Sequence, residues 1–172
     1  MKQLILGGAR SGKSALAEKL AAESAAEVVY VATATAGDEE MRRRIEHHRR
    51  SRPAHWVTVE EPLALAQVMQ EYASPQRLLL VDCLTLWVTN LLLQGEPSLR
   101  RETAALLQLL PELTGQIVLV SNETGLGVVP GDSLSRRFVD ESGRLHQSLA
   151  GLCDRVVLTV AGLPQILKGP EL

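Results

Sequence analysis

Residues 7–14 read Gly7-Gly8-Ala9-Arg10-Ser11-Gly12-Lys13-Ser14, and this stretch restricts the possible folds more tightly than any other in the chain. It matches G-x-x-x-x-G-K-[ST], a loop whose glycines allow a tight turn and whose backbone N–H groups converge on phosphate oxygens. Such a loop functions between a strand and the N-terminus of a helix, where the helix dipole adds to the field. The flanks meet that requirement. Residues 2–6 are a short apolar run, and 13–25 repeats Leu16, Ala17, Leu20, Ala21 and Ser24 at helical spacing. Lys13 is therefore expected to contact β- and γ-phosphates, and Ser14 to ligate Mg2+. The competing reading is a chance glycine turn with a solvated lysine, and it leaves both flanks unexplained.

The same alternation of strand and helix continues to the end of the chain. Strands are expected at 27–32, 56–59, 78–82, 117–120 and 155–160, the last closing the fold. Helices are expected at 38–50, 62–72, 84–93, 99–110 and 134–152, with a glycine-rich loop over 122–132. Gly95-Glu96-Pro97 separates the third and fourth of these helices. Parallel βαβ units follow, giving an open, mostly parallel sheet with helices on both faces. No internal repeat or linker interrupts the 172 residues, a length that suits a single nucleotide-binding domain over 1–172. Ligands of such sheets bind beyond the carboxyl ends of the strands, which directs attention to the loops after Leu6, Ala32, Asp82 and Ser121.

Composition narrows the choice of ligand. Lys and Arg total 18 against 20 Asp and Glu, a net charge of −2, so there is no global positive field for nucleic acid or anionic lipid. With 3% aromatic residues the chain also lacks the material for a base-stacking platform. The two cysteines, Cys83 and Cys153, have no C-x-x-C spacing and read as reduced, buried thiols. The apolar run at the N-terminus is too short for a signal peptide or a membrane span, so a cytoplasmic protein is expected.

Asp82 ends the most apolar strand, where a carboxylate supports Mg2+ beside a phosphate loop; capping the helix 84–93 is its alternative role. The segment 38–50 concentrates Arg42, Arg43, Arg44, His47, His48, Arg49 and Arg50, with Arg52 beyond. At helical spacing Met41, Ile45 and His48 share one stripe, while Arg43, Arg44, His47 and Arg50 share the next. His48 thus reads as a buried or supporting imidazole. His47 stands among guanidiniums that suit a polyphosphate and favour its neutral, nucleophilic form, although a solvated basic face explains the same charges. Adjacent histidines point to different faces, which argues against zinc. His55 and His146 are lone residues read as surface or capping groups. Glu60 and Glu61 end a strand, and a carboxylate there could accept hydrogen bonds from a guanine edge.

Together these residues resemble the bifunctional adenosylcobinamide kinase/adenosylcobinamide-phosphate guanylyltransferase family of cobalamin biosynthesis. The likeness runs through the phosphate loop, Tyr30-Val31-Ala32-Thr33, Arg44-Ile45-Glu46-His47-His48, Arg52-Pro53-Ala54-His55-Trp56, Val88-Thr89-Asn90-Leu91-Leu92 and the stretch Ser121-Asn122-Glu123-Thr124-Gly125-Leu126-Gly127-Val128-Val129-Pro130. The resemblance implies an α/β P-loop NTPase (RecA-like) fold, ATP and GTP as substrates with Mg2+, and a homotrimer. It further implies that His47 carries GMP covalently, with nucleotide contacts from the phosphate loop, Thr33, Ala34, Thr35, His48, Arg49, Arg50, Ser51, Glu60 and Asp82. In the implied chemistry the hydroxyl of adenosylcobinamide is phosphorylated, and adenosylcobinamide phosphate then accepts GMP. With five aromatic residues in the chain, the corrinoid is expected to rest on a surface shared with a neighbouring subunit. A small-molecule kinase whose His47 only binds phosphate, and a GTP-binding regulatory module, are the alternatives that labelling with GTP separates.

Overall fold

The protein is described by a computed structural model covering residues 1–35, 37, 39, 42, 43, 46 and 52–172. Its strands are β1 (Lys2–Gly7), β2 (Glu27–Ala32), β3 (Val57–Glu60), β4 (Arg77–Asp82), β5 (Gln116–Asn122), β6 (Arg155–Val160) and β7 (Leu163–Lys168). The helices are α1 (Lys13–Glu23), α2 (Leu65–Tyr72), α3 (Leu84–Gln94), α4 (Glu96–Leu109) and α5 (Ser133–Leu152). Among the described residues, these seven strands join one sheet in the order β3-β2-β4-β5-β1-β6-β7. Every pairing is parallel except that of β6 with β7.

The central strands are apolar on both faces, and alternation sorts their side chains between two cores. Leu4, Leu6, Val29, Val31, Leu79, Val81, Ile117 and Leu119 face one side, where they meet Leu65 and Met69 of α2, Trp87 and Leu91 of α3, Leu106 of α4 and Leu149 of α5. Ile5, Val28, Tyr30, Leu78, Leu80, Val118 and Val120 face the other, against Ala17 and Ala21 of α1 and Trp56. Small alanines on α1 let that helix lie close to the sheet. Each large aliphatic side chain buried in this way contributes roughly 1.5–3 kcal/mol.

Among the boundaries that differ from the sequence reading, two do so for clear local reasons. Gly95 alone separates α3 from α4, because Pro97 occupies the first turn of α4, where a missing N–H costs nothing. The chain also does not end its sheet at β6. Ala161 and Gly162, with φ of 52° and 80°, form a tight turn into the antiparallel edge strand β7. Pro164 disguised that strand, since proline within an apolar run argues against a strand unless it lies at a sheet edge.

The connection from β1 runs to α1 on one face, whereas β5, its neighbour, feeds α5 on the other. The loops that leave these adjacent strands therefore diverge, and a crevice opens at their carboxyl ends.

Candidate active site

The phosphate loop occupies that crevice. Leu16 N–H already bonds to the Gly12 carbonyl at 2.9 Å, so α1 begins its hydrogen-bonding directly at the loop. No side chain caps the helix, which leaves its first N–H groups directed at the loop interior. Lys13 is only 8% exposed, and its Nζ donates to the Gly8 carbonyl at 3.2 Å, placing the ammonium inside the turn. Two glycines are required. A Cβ on Gly7 would lie 2.3 Å from Ser11 Oγ and 2.6 Å from the Thr159 carbonyl, and Gly12 adopts φ 95° with the Gly162 Cα 3.0 Å from where its Cβ would be. The β6–β7 turn supports the loop from outside, since Gly162 N–H donates to the Ser11 carbonyl at 2.8 Å. Within the described residues, Ser11 Oγ, Thr159 Oγ1 and Asn122 Oδ1 are buried without hydrogen-bond partners. Asn122 and Thr159 are the register partners of Gly7, so polar atoms ring the base of the loop. A cage of N–H donors, a lysine ammonium and hydroxyls suits an anionic oxygen cluster.

Asp82 closes β4, half-buried, with Val120 of β5 opposite it and Ala32 of β2 on its other side. The cap of α3 is Cys83, and it makes no side-chain capping bond. The carboxylate raises the proton affinity of two neighbours: Tyr30 is pushed up chiefly by burial and then by Asp82, and Cys83 likewise. Both remain neutral. The Tyr30 ring also carries the Arg52 guanidinium 3.3 Å from its centroid, which ties the end of the arginine-rich segment to β2.

Thr33 is completely buried. Its hydroxyl donates to the Cys83 carbonyl at 2.7 Å and accepts from the Cys83 N–H at 3.0 Å, joining the exits of β2 and β4. Ala34 is half-buried and Thr35 exposed, and Thr35 Oγ1 meets Asn90 Oδ1 at 3.4 Å. Asn90 is a positioning side chain that residue type alone did not single out. Its amide donates to the Thr33 and Pro62 carbonyls at 2.9 and 3.1 Å, bracing two strand exits from α3. Glu60 is exposed at the last position of β3, opposite Ala32. His47, His48, Arg49, Arg50 and Ser51 lie outside the described residues, as do Met41, Arg44 and Ile45. Glu39 pairs with Arg42 and Arg43 on the described part of that segment, at 2.6 and 3.5 Å.

His146 departs from its expected surface position. It is 7% exposed, because α5 packs its face with Leu145 and Leu149 against the sheet and carries the imidazole with them to the end of β5. There its Nε2 lies 2.7 Å from Ser121 Oγ, and its Nδ1 lies 3.7 Å from Glu123 Oε2. A histidine between Leu145 and Leu149 at helical spacing was the available signal. His55 is exposed, as expected.

The family model for cobinamide kinase/cobinamide phosphate guanyltransferase matches residues 3–167 of this chain. The chain belongs to that family. It is 65% identical, over the full length of both proteins, to the bifunctional adenosylcobalamin biosynthesis protein CobP of Pseudomonas aeruginosa. It is 39% identical to the bifunctional adenosylcobalamin biosynthesis protein CobU of Escherichia coli, across 98% of this chain and all of the relative. Among solved structures, an ATPase from the type III secretion system of pathogenic bacteria is similar with a TM-score of 0.53 at 17% identity, covering 91% of this chain and 50% of that one. A Pyrococcus horikoshii OT3 protein is similar with a TM-score of 0.56 at 12% identity, over 99% of this chain and 87% of that one. These two likenesses concern the fold, a mostly parallel P-loop sheet. The family match makes the chain a bifunctional cobinamide kinase and guanyltransferase of adenosylcobalamin biosynthesis. Among the described residues, no helix is long and apolar enough to cross a membrane.

Proposed function

We propose that residues 1–172 act as one domain that runs both reactions with the residues expected from the sequence. In the kinase reaction the hydroxyl oxygen of adenosylcobinamide attacks the γ-phosphorus of ATP or GTP. A P–O bond forms, the bond to the β-phosphate oxygen breaks, and the nucleoside diphosphate leaves as the hydroxyl proton is lost. Lys13 offsets charge developing on the transferred and leaving oxygens, and the backbone N–H groups of 8–14 hold the phosphates. The observation that supports this most is the burial of the Lys13 ammonium inside the loop at the N-terminus of α1. Ser14 and Asp82 supply the hard oxygen donors that Mg2+ prefers, and the ion would add neutralising charge at the phosphates.

In the second reaction a His47 ring nitrogen attacks the α-phosphorus of GTP and pyrophosphate leaves. A phosphate oxygen of adenosylcobinamide phosphate then displaces the imidazole, giving adenosylcobinamide-GDP and free His47. The shared helical stripe of His47 with Arg43, Arg44 and Arg50 favours this choice over His48. Nucleotide contacts from Ala34, Thr35, His48, Arg49, Arg50 and Ser51, and guanine reading by Glu60, complete the reading. A cytoplasmic homotrimer whose corrinoid surface spans two subunits completes the assembly.

Incubation with α-labelled GTP followed by mass spectrometry tests the mechanism. One GMP mapped to His47, lost in His47→Ala and kept in part by His48→Ala, is the expected result. A GMP on His48, or on no histidine, sinks it.

A further inference from the structure

Where β5 ends, one side chain has its backbone fixed and its polar end unspent. β5 lies between β4, which ends in Asp82, and β1, which opens into the phosphate loop. Asn122, its last residue, stands opposite Gly7. Its N–H donates to Thr85 Oγ1 at 3.1 Å, and the next N–H, that of Glu123, donates to the Gly7 carbonyl at 3.0 Å. The main chain is thereby tied to α3 on one side and to β1 on the other. The amide is not used in this way: Oδ1 of Asn122 is buried and has no hydrogen-bond partner among the described residues. A buried carbonyl oxygen without a partner is costly, and a donor that arrives with the substrates removes the cost.

Alternation along the strands fixes the face that the amide occupies. Val118 and Val120 belong to the core that α1 covers, so Asn122, two residues further, stands on the same face. Asp82 follows Leu78 and Leu80 of that core and pairs with Val120, so it shares the face. Lys13, in the first turn of α1, reaches the Gly8 carbonyl, one residue beyond the register partner of Asn122. The amide thus lies between the carboxylate proposed for Mg2+ and the ammonium proposed for the β- and γ-phosphates. The other two unpartnered oxygens at the base of the loop differ from it in access. Ser11 and Thr159 are 7% and 1% exposed and closed off beneath the turn, whereas Asn122 is half-buried and retains a path to the crevice.

A carboxamide carries both kinds of group that phosphoryl transfer needs beside its nucleophile. Oδ1 accepts a hydrogen bond from a hydroxyl and Nδ2 donates one to a phosphoryl oxygen, so one rigid plane can span the bond that forms. We propose that Asn122 is a catalytic residue of the kinase step, its amide holding the cobinamide hydroxyl in line with the γ-phosphorus. The new P–O bond forms as the bond to the β-phosphate oxygen breaks, and the hydroxyl proton is released to solvent, because a carboxamide orients the nucleophile without keeping its proton. In guanylyl transfer His47 attacks the α-phosphorus, two phosphates away, and the amide is not at the reacting bond. This rests on the reading in which the loop 7–14 holds the nucleotide for phosphoryl transfer.

The test follows both reactions in the full chain: steady-state phosphorylation of cobinamide, the initial rate of protein-bound GMP from α-labelled GTP, nucleotide Kd and thermal midpoint. Asn122→Ala is expected to lower kinase kcat on the order of 10²-fold, with nucleotide Kd raised less than about threefold and adduct formation slowed less than about fivefold. Asn122→Asp keeps the shape but sets a carboxylate against the γ-phosphoryl, so its kcat should fall at least as far. A folded Asn122→Ala with wild-type kcat overturns the proposal, and a lowered thermal midpoint beside that kcat would make the amide structural. Adduct formation that falls in step with the kinase overturns it too, since the amide would then support the whole site. So does an Asn122→Asp that turns over like wild type. Should Asn122→Ala not fold, the isosteric Asn122→Asp carries the same comparison. Wild-type protein that binds nucleotide but phosphorylates no cobinamide would overturn the functional reading instead, which separates the two failures.

Discussion

Two loops leave the sheet side by side, after β1 and after β5, and they are held in opposite ways. The phosphate loop is shaped by backbone: a close approach at Gly7, a positive φ at Gly12, and carbonyl and N–H contacts to Gly8, Gly162 and Glu123. Loop 123–132 is shaped by side chains, with Glu123 turning the chain at Gly125 and lying 3.7 Å from His146, on a helix 23 positions further along. A loop built from backbone writes its requirements into consecutive residues. A loop bordered by a distant side chain does not, and that neighbour becomes visible only when the helix is docked.

The comparison is sharpest at Lys13, whose ammonium the backbone-built loop encloses. Lys13→Ala is expected to lower kinase kcat on the order of 10²–10³-fold while the thermal midpoint changes little. Turnover equal to wild type would remove the phosphate loop from the reaction.

Gly7→Ala attacks the backbone itself. Its methyl would press on Ser11 Oγ and the Thr159 carbonyl, and the carbonyl belongs to a central strand that cannot yield. The expected loss is about 1–3 kcal/mol in urea unfolding, together with weakened nucleotide binding. A variant as stable as wild type would mean that the loop tolerates a wider path than its contacts imply.

Asp82→Asn tests the strand between these loops and β2. An amide is a poorer donor to a hard cation, so the Mg2+ concentration for half-maximal kinase activity should rise while stability holds. Because α3 is capped at Cys83 without a side-chain bond, a drop in thermal midpoint with unchanged metal dependence would restore the capping role.

The smallest expected effect belongs to the imidazole beside the side-chain-built loop. Burial holds the His146 pKa below 6.5, so the unfolded chain binds a proton that the folded chain does not in the window between the two values. Stability therefore rises with pH across that window and falls as pH drops from about 6.5 toward the folded value. Unfolding curves of His146→Gln should lose this component. Parallel pH profiles for wild type and variant would place the imidazole in contact with solvent.

What the sequence determined by itself is whatever rests on neighbours in the chain. The phosphate loop, the buried strands and the spans of α1 and α5 follow from motif spacing and periodicity, because a strand apolar on both faces and a helix with one apolar stripe have few other resolutions. Only the tertiary structure decided the rest. Nothing near Leu163–Lys168 announces an edge strand, since Pro164 argues against one until the Ala161–Gly162 turn is seen to bring it against β6 and the phosphate loop. Thr33 was expected among the nucleotide contacts, yet it is completely buried with its hydroxyl pairing the exits of β2 and β4, and Asn90 joined two loops separated from it by 57 and 28 residues. His146 was a lone histidine in the sequence and a buried partner of Ser121 and Glu123 in the fold. A side chain's role across such distances is set by which surfaces dock, and docking is a property of the whole core rather than of any window of residues.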